Sequence, residues 1–275
     1  MFIHWGLYAL PAGEWKGQRM PEIGEWIQAY FRIPNAEYSA LASAFNPILF
    51  DADEWVQLAL DSGMKYMVMT SKHADGFAMF HSKVDKFNIV DATPFRRDVV
   101  GELAESCRKH GMKFGLYYSQ DIDHHHPHGG GYTKGATVFP WGRCASWTND
   151  WDFPDNARKD YSICYEEKIR SQIEEILRNY GDLAVVWLDN PCTISAKQSE
   201  ELFRLIKQYQ PQALVNSRMG HGACDYRSLG DNQILDQFFS HFQQHKTRAR
   251  RRYFRSCESH THAAGSTSFY GENHL

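Results

Sequence analysis

Five short apolar stretches of this chain each end in polar residues that a buried strand has no structural need to carry. Amphipathic helical segments lie between most of them. The stretches are FIHWG with His4, YMVMTSKHAD with His73 and Asp75, KFGLYYSQD with Tyr118 and Ser119, AVVWLDN with Asp189, and ALVNSR with Arg218. This alternation predicts an α/β fold of the TIM-like (β/α) barrel type, in which functional residues collect at the carboxyl ends of the strands.

Apolar periodicity and capping residues place the individual elements. We expect strands at residues 1–5, 65–71, 113–118, 183–188 and 213–216. We expect helices at residues 35–45, 51–62, 97–110 and 160–180, and a further helix that Ser195 opens and that ends near Tyr209. Residues 120–158 form a long loop rich in Asp, His, Gly and Trp, and a loop of that length in a compact domain is usually functional or mobile.

The strand and helix pattern fails after about residue 235. A closed barrel needs eight strands, whereas the sequence offers five, with a sixth in doubt. We therefore expect a partial barrel catalytic domain over residues 1–235, incomplete at its C-terminal end, and an aberrant tail over residues 236–275 that carries a basic run at 246–255. Met1 falls inside the first strand, which suggests a missing N-terminus and leaves the native compartment open.

Composition excludes several classes of partner. The net charge of −3 is close to neutral, and the basic run lacks an amphipathic helix or interleaved stacking aromatics, so a nucleic-acid partner is not expected. No apolar run is long enough to predict a membrane span, and no membrane partner is expected. None of the six cysteines forms a CxxC pair, which argues against a zinc knuckle. The oligomeric state stays open.

Asp189 is the most informative single residue. It directly follows the apolar residues 185–188, so its carboxylate should lie at the mouth of a strand beside apolar walls. It could cap the next turn, act as a nucleophile or bind a metal ion. Arg218, at the end of the next strand, could hold the carboxylate ionised and oriented through a charge-assisted hydrogen bond.

Histidines follow the first two strands. His4 and His73 would suit a hydroxyl-rich ligand, and they would also suit a metal ion. Barrel metallohydrolases usually carry an HxH pair on the first strand, where this chain reads His4-Trp5-Gly6, so metal catalysis is disfavoured. The histidine run at 124–128 lies in a loop rich in Gly and Pro, and we interpret it as a solvated edge over the site.

The ordered sequence words of residues 1 to about 235 resemble the retaining alpha-L-fucosidase family of glycoside hydrolases. The matching words are MFIHWGLYALPAGEW, GEWIQAYFRIP, FNPILFDADEWVQLALDSGMKYMVMTSKHADGFAMF, DATPFRRDVVGELAESCRKHGMKFGLYYSQD, NDWDFPD, VVWLDN and ALVNSRMG. The resemblance implies a barrel of seven or eight strands, usually followed by a β-sandwich. It also implies exo-hydrolysis of terminal alpha-L-fucose from glycans or glycoconjugates with retention, without a metal or another cofactor.

The resemblance also implies residue roles. Asp189 matches the nucleophile that attacks the anomeric carbon, and Arg218 matches a site residue beside it. The positions that hold the hydroxyls of the sugar and line its ring and methyl group are matched by His4, Glu25, Trp26, His73 and Tyr118. Retention requires a second carboxyl group as general acid/base, ~5 Å from the nucleophile. Glu258 is the best candidate for it, with an ordinary loop residue as the alternative.

Two departures from the family leave other functions open. Ala74 replaces a histidine that normally touches the sugar, which permits a related exo-glycosidase specificity. Beyond residue 235 the family words stop and then return near the end, so we hypothesise a reading-frame slip between about 236 and 268. A chain without its acid/base would be a catalytically impaired, fucose-binding barrel or a non-functional fragment.

Overall fold

A parallel sheet organises the described part of the chain. The computed structural model describes residues 1–21, 23–132 and 147–228. Five parallel strands form the main sheet: β1 (Phe2–Ile3), β4 (Tyr66–Lys72), β5 (Lys113–Ser119), β6 (Val185–Asp189) and β7 (Leu214–Val215). A separate short hairpin joins β2 (Glu14–Trp15) to β3 (Gln18–Arg19). Among the described residues no helix is both long and apolar enough to cross a membrane.

The order of the strands in the sheet follows their order in the chain. Each main-sheet strand pairs in parallel with the next one, from β1 through β4, β5 and β6 to β7. Helices lie between successive strands, which is the repeat that builds a (β/α) barrel. Within the described ranges β1 and β7 form the two edges. The predicted fold class is confirmed as an α/β, TIM-like arrangement that is not closed by these residues.

Eight α-helices occur among the described residues. Six of them lie within the segments predicted to be helical, whereas the short helices Ile27–Phe31 and Ile89–Ala92 have no counterpart in the sequence prediction. The eight helices are α1 (Ile27–Phe31), α2 (Asn35–Ser39), α3 (Ala52–Asp61), α4 (Ile89–Ala92), α5 (Val99–His110), α6 (Tyr161–Cys164), α7 (Arg170–Asn179) and α8 (Ala196–Tyr209). Side chains at the N-caps explain several of the starts. Asp51 caps α3, Asp98 caps α5, and Ser195 and Gln198 form a reciprocal capping box on α8.

Two predicted helices differ in their internal form. The segment predicted at 35–45 is helical only as far as Ser39 and continues as a 3₁₀ turn, Ala40–Ala44. The segment predicted at 160–180 is one continuous run in which a π-helical stretch, Tyr165–Ile169, joins α6 to α7. A π turn rotates the side chains that follow it about the helix axis. The apolar periodicity of the sequence does not reveal this turn.

The two faces of the sheet carry different side chains. The large core packs between the helices and one face, and it includes Leu116, Tyr118 and Leu188. A small cluster of Val68, Tyr117 and Val185 lies on the other face, which corresponds to the interior of the barrel. Because side chains alternate along a strand, residues at odd positions of β5 and β6 point into that interior.

A buried ion network joins the end of β4 to the loop after β5 and to the π-helical stretch. The ammonium groups of Lys72 and Lys168 lie 3.2 and 3.0 Å from Asp123 Oδ2, and Lys168 also lies 2.6 Å from Asp85. Burial alone would raise the pKa of Asp123, but the two ammonium groups overcome that effect and hold its pKa well below the usual range. Three segments distant in sequence are thereby tied at one point.

We predict that Asp123→Asn destabilises the protein by about 3–5 kcal/mol, because two buried ammonium groups lose their shared carboxylate. Asn keeps an oxygen for the backbone N–H groups of His125 and His126, so the change isolates the charge. The measurement is chemical unfolding at pH 7, with Glu200→Gln on the exposed Arg204–Glu200 pair as a control that should change little.

The lowered pKa of Asp123 predicts that the stability of the protein depends on pH. Because the folded pKa of Asp123 lies below its unfolded value near 3.8, its stabilising contribution is present above that value and is lost as the pH falls through the folded pKa. The difference in unfolding free energy between wild type and Asp123→Asn should therefore shrink below about pH 4. A difference that is small at pH 7, or independent of pH, would contradict this account.

Candidate active site

Asp189 ends β6 with its carboxylate on the interior side of the sheet. The Tyr117 hydroxyl donates a hydrogen bond to Asp189 Oδ2 at 3.0 Å. The other carboxylate oxygen, Oδ1, forms an ion pair with Nε of Arg218 and accepts a hydrogen bond from the backbone N–H of Asn190 at 2.9 Å. Donors on both oxygens fix the orientation of this largely buried carboxylate.

Two buried side-chain amides position the backbone around Asp189. Gln120 accepts a hydrogen bond from the backbone N–H of Asp189 at 2.6 Å and donates one to the carbonyl of Arg218 at 3.1 Å. Asn216 accepts from the N–H of Leu188 at 2.9 Å and donates to its carbonyl at 3.0 Å. Both amides are fully buried. They connect the end of β6 to the segment that carries Arg218.

A second group of polar side chains lies at the ends of β1 and β4. His4 directly follows β1, His73 directly follows β4, and Glu25 belongs to the 3₁₀ turn Gly24–Trp26. One nitrogen or oxygen atom from each of the three residues lies within 4.8 Å of the others. Burial lowers the pKa of His73 well below its usual value, and the neighbouring His4 and Lys72 lower it further. The His73 ring is therefore neutral at pH 7.

Aromatic rings connect the histidine group to Asp189. The His73 ring stacks on Tyr117 with centroids 5.4 Å apart and an interplanar angle of 8°, and the His4 ring lies 4.8 Å from Tyr117. Trp26 packs edge-on against His73 at 5.4 Å and against Trp147 at 4.6 Å. Tyr117 therefore contacts both histidines through its ring and Asp189 through its hydroxyl.

The geometry unites one carboxylate held by a guanidinium, two imidazoles, a second carboxylate and indole rings. A mixture of hydrogen-bonding groups and aromatic faces is suited to a sugar, which presents hydroxyls around an apolar ring. Comparison with known proteins identifies the family to which the chain belongs. The sequence profile described as Alpha-L-fucosidase matches residues 1–267.

The chain belongs to the alpha-L-fucosidase family. Alpha-L-fucosidase AlfC from Lactobacillus casei, solved with alpha-L-fucose product, is 54% identical with a TM-score of 0.81, and the match covers 85% of this chain and 71% of that one. The alpha-L-fucosidase from Vibrio sp. strain EJY3 is 42% identical with a TM-score of 0.71, over 79% of this chain and 36% of that one.

Curated fucosidases match over a smaller share of their length. Alpha-L-fucosidase 1 of Arabidopsis thaliana is 30% identical over 245 residues, which is 86% of this chain and 37% of the relative. The putative alpha-L-fucosidase of Caenorhabditis elegans is 35% identical over 236 residues, which is 81% of this chain and 43% of the relative. The chain thus spans less than half of the length of each of these two relatives.

Most of the predicted fucosidase site residues lie together. Asp189 and Arg218 are in contact, and His4, Glu25 and His73 form the second group with Trp26 beside it. Tyr118 does not join them. Its hydroxyl donates to Gln172 at 2.8 Å on the helix-facing side of the sheet. The neighbouring residue Tyr117 reaches Asp189 instead, so the sugar-lining role predicted for Tyr118 does not fit its position.

The loop after β4 carries Ala74, the residue at which the chain departs from the family sequence, followed by Asp75. Ala74 is fully buried, and its carbonyl accepts a hydrogen bond from the backbone N–H of His124 at 2.7 Å. The next residue, Asp75, accepts from the Tyr38 hydroxyl at 2.8 Å and from the backbone N–H of Phe77 at 3.1 Å. Burial raises the pKa of Asp75 to about 6. Asp75 therefore holds this loop against α2 through the hydrogen bond from Tyr38.

Several sequence-based predictions concern residues that the structure does not describe. Glu258, the predicted acid/base, lies outside the described residues, as do the tail 236–275 and the boundary at 235. The histidine run 124–128 is partly structural, since His124 is buried and its Nε2 lies 3.0 Å from the carbonyl of Trp147. A cavity of about 880 Å³ occurs at the opposite ends of the strands and includes Tyr66, Lys113 and Leu214, so it is remote from this site.

Proposed function

We propose that this chain is the catalytic barrel of an exo-acting, retaining glycosidase that releases terminal alpha-L-fucose. The observation that carries the proposal is the Asp189 carboxylate, held at the strand end by Tyr117 and Arg218 beside two histidines. A carboxylate that is fixed in this way and adjoins a polar, aromatic-lined space is suited to attack an anomeric carbon.

The proposed reaction has two displacements. In the first, an Asp189 oxygen bonds to the anomeric carbon of fucose while the glycosidic bond breaks and the leaving oxygen takes a proton from the acid/base, which we assign to Glu258. In the second, water gives a proton back to that residue, attacks the same carbon and releases fucose and the free carboxylate. His4, Glu25 and His73 hold the hydroxyls of the sugar, and the Trp26 ring packs on its apolar surface.

The proposed substrates are fucosylated oligosaccharides or glycoconjugates. A solved AlfC mutant complex contains Fuca(1,6)GlcNAc, and that protein is 53% identical to this chain with a TM-score of 0.82. This supports α1,6-linked fucose on N-acetylglucosamine as the first natural linkage to test. Because Ala74 departs from the family, aryl α-L-arabinosides and β-D-galactosides belong in the same panel.

Asp189→Gly tests the proposal directly. We expect kcat on 4-nitrophenyl-α-L-fucopyranoside to fall at least about 1,000-fold, because the covalent step loses its nucleophile. Added azide should enter the space left by the side chain and restore turnover, giving the fucosyl azide of inverted configuration. Asp182→Gly, an exposed carboxylate near the other end of β6, is the matched control and should retain activity. Unchanged turnover in Asp189→Gly would refute the assignment.

Adjacent tyrosines provide a second test. Tyr117→Phe and Tyr118→Phe each remove one buried hydroxyl, but only Tyr117 bonds to Asp189. A hydrogen bond to a charged group contributes about 1.5–3 kcal/mol, so Tyr117→Phe should lower kcat by about 10- to 100-fold. Tyr118→Phe should lower the melting temperature and leave kcat near the wild-type value. A larger loss of kcat in Tyr118→Phe than in Tyr117→Phe would instead place Tyr118 in the site.

Gln120 is predicted to act as a positioning residue. Gln120→Leu removes the hydrogen bonds that the Gln120 side chain forms with the N–H of Asp189 and with the carbonyl of Arg218. A displacement of ~1 Å at a reacting group can cost about 100-fold in rate, so we expect kcat to fall at least about 10-fold with a smaller change in KM.

Gln210 offers the matched control. It is also a buried amide with three backbone partners, Leu183, Leu177 and Gly181, but these lie away from the Asp189 site. Gln210→Leu should lower stability to a similar extent, since each unpaired buried group costs about 1–3 kcal/mol, and should leave kcat unchanged below its melting temperature. Equal kcat values in Gln120→Leu and Gln210→Leu would contradict the positioning role of Gln120.

A further inference from the structure

The group formed by His4, Glu25 and His73 has the composition of a transition-metal site. It offers two imidazoles and one carboxylate, and the nearest donor atoms of the three residues lie within 4.8 Å of one another. Two histidines and one carboxylate are a recurrent ligand set for zinc-type ions, with further coordination positions left to water or another ligand. The two imidazole rings lie 5.5 Å apart at an interplanar angle of 75°.

The distances require only a small adjustment for coordination. Ligand atoms bound to one zinc ion at about 2.0–2.2 Å lie on the order of 3–4 Å from each other. The observed spread of 4.8 Å is therefore roughly 1 Å wider than a bound geometry. Glu25 is only partly buried and follows Gly24 in a 3₁₀ turn, so its side chain is the member with room to move.

The surroundings of His4 and His73 are compatible with both rings acting as ligands. Thr70 Oγ1 donates a hydrogen bond to the carbonyl of Ile3 at 2.8 Å and lies 3.4 Å from Nδ1 of His4, so it can accept a hydrogen bond from that nitrogen. In this tautomer His4 Nε2 carries the lone pair, and outer contacts of this kind orient histidine ligands in metal sites. His73 is 3% exposed, and its Nδ1 has no hydrogen-bond partner among the described residues.

We propose that His4, Glu25 and His73 bind a divalent late transition-metal ion, with Zn²⁺ as the probe, and that the bound ion excludes the sugar. The ion is an inhibitor in this proposal and takes no part in hydrolysis. Ion binding stands on the three side chains alone, whereas exclusion of the sugar rests on the proposed function. Mg²⁺ and Ca²⁺ should bind poorly, because they prefer sites made of oxygen ligands.

The test is calorimetric titration of Zn²⁺ into the metal-free full chain, with Mg²⁺ as the negative control. We expect one site per chain, and a loss of affinity of at least about 10-fold in both His4→Ala and Glu25→Gln. Glu25→Gln keeps the size of the side chain, and circular dichroism verifies that it is folded. Zn²⁺ affinity equal to wild type in both variants would overturn the proposal.

A histidine-rich loop provides the matched control. The rings of His126 and His128 lie 6.0 Å apart, and His126 Nε2 lies 3.2 Å from Glu167. This second pair of histidines with a carboxylate could chelate zinc on its own. His126→Ala should leave the titration unchanged if His4, Glu25 and His73 form the site. Loss of zinc binding in His126→Ala, together with normal binding in His4→Ala, would assign the ion to the loop and contradict the proposal.

Competition with free L-fucose tests the exclusion. We expect saturating L-fucose to weaken the apparent Zn²⁺ affinity, and Zn²⁺ to raise KM for the aryl fucoside without lowering kcat. Zinc binding through the three residues that L-fucose does not affect would contradict exclusion. If zinc fails to bind while Asp189→Gly abolishes hydrolysis, the metal proposal falls and the enzymatic one stands.

Discussion

The site depends on two buried amides that replace missing backbone pairing. The strands β6 and β7 pair only at Val185–Leu214 and Val186–Val215, whereas Asp189 and its guanidinium partner lie three residues beyond that short ladder. Buried backbone groups must be paired, and the Gln120 and Asn216 side chains pair them across the gap. The contact between Asp189 and the guanidinium is therefore set by side chains of neighbouring segments, and not by the sheet alone.

The ion network behind the sheet has a similar role for the histidine group. Lys72 Nζ donates to the carbonyl of His73 at 3.2 Å and to that of Ile122 at 3.3 Å, besides its pairing with Asp123. A buried ion pair contributes little net stability compared with apolar packing, because both charges lose their hydration. Its consequence here is geometric, since it joins the start of the loop after β5 to the residue that follows β4.

The sequence could predict the strands and most of the polar strand ends, because buried parallel strands are short apolar runs and their carboxyl ends meet at one edge. His4 and Asp189 follow from that rule. The rule cannot tell which of two adjacent tyrosines faces the interior of the barrel, so the sequence points to Tyr118 whereas the structure places Tyr117 beside Asp189. The face on which each tyrosine lies is set by the register with the neighbouring strand, which aligns Tyr117 with Trp187. Gln120 carries no local signal, because its partners lie about 69 and 98 residues away along the chain.

Both proposals for the histidine group depend on the same physical feature. His73 Nδ1 is buried without a partner among the described residues, and such an atom costs about 1–3 kcal/mol until a ligand satisfies it. A sugar hydroxyl can donate a hydrogen bond to the lone pair of a ring nitrogen, and a metal ion can coordinate that same lone pair. Because an uncharged imidazole presents only one such lone pair, the two ligands exclude one another at this ring. Competition between them therefore follows from the single lone pair of one imidazole, and not only from the size of the pocket.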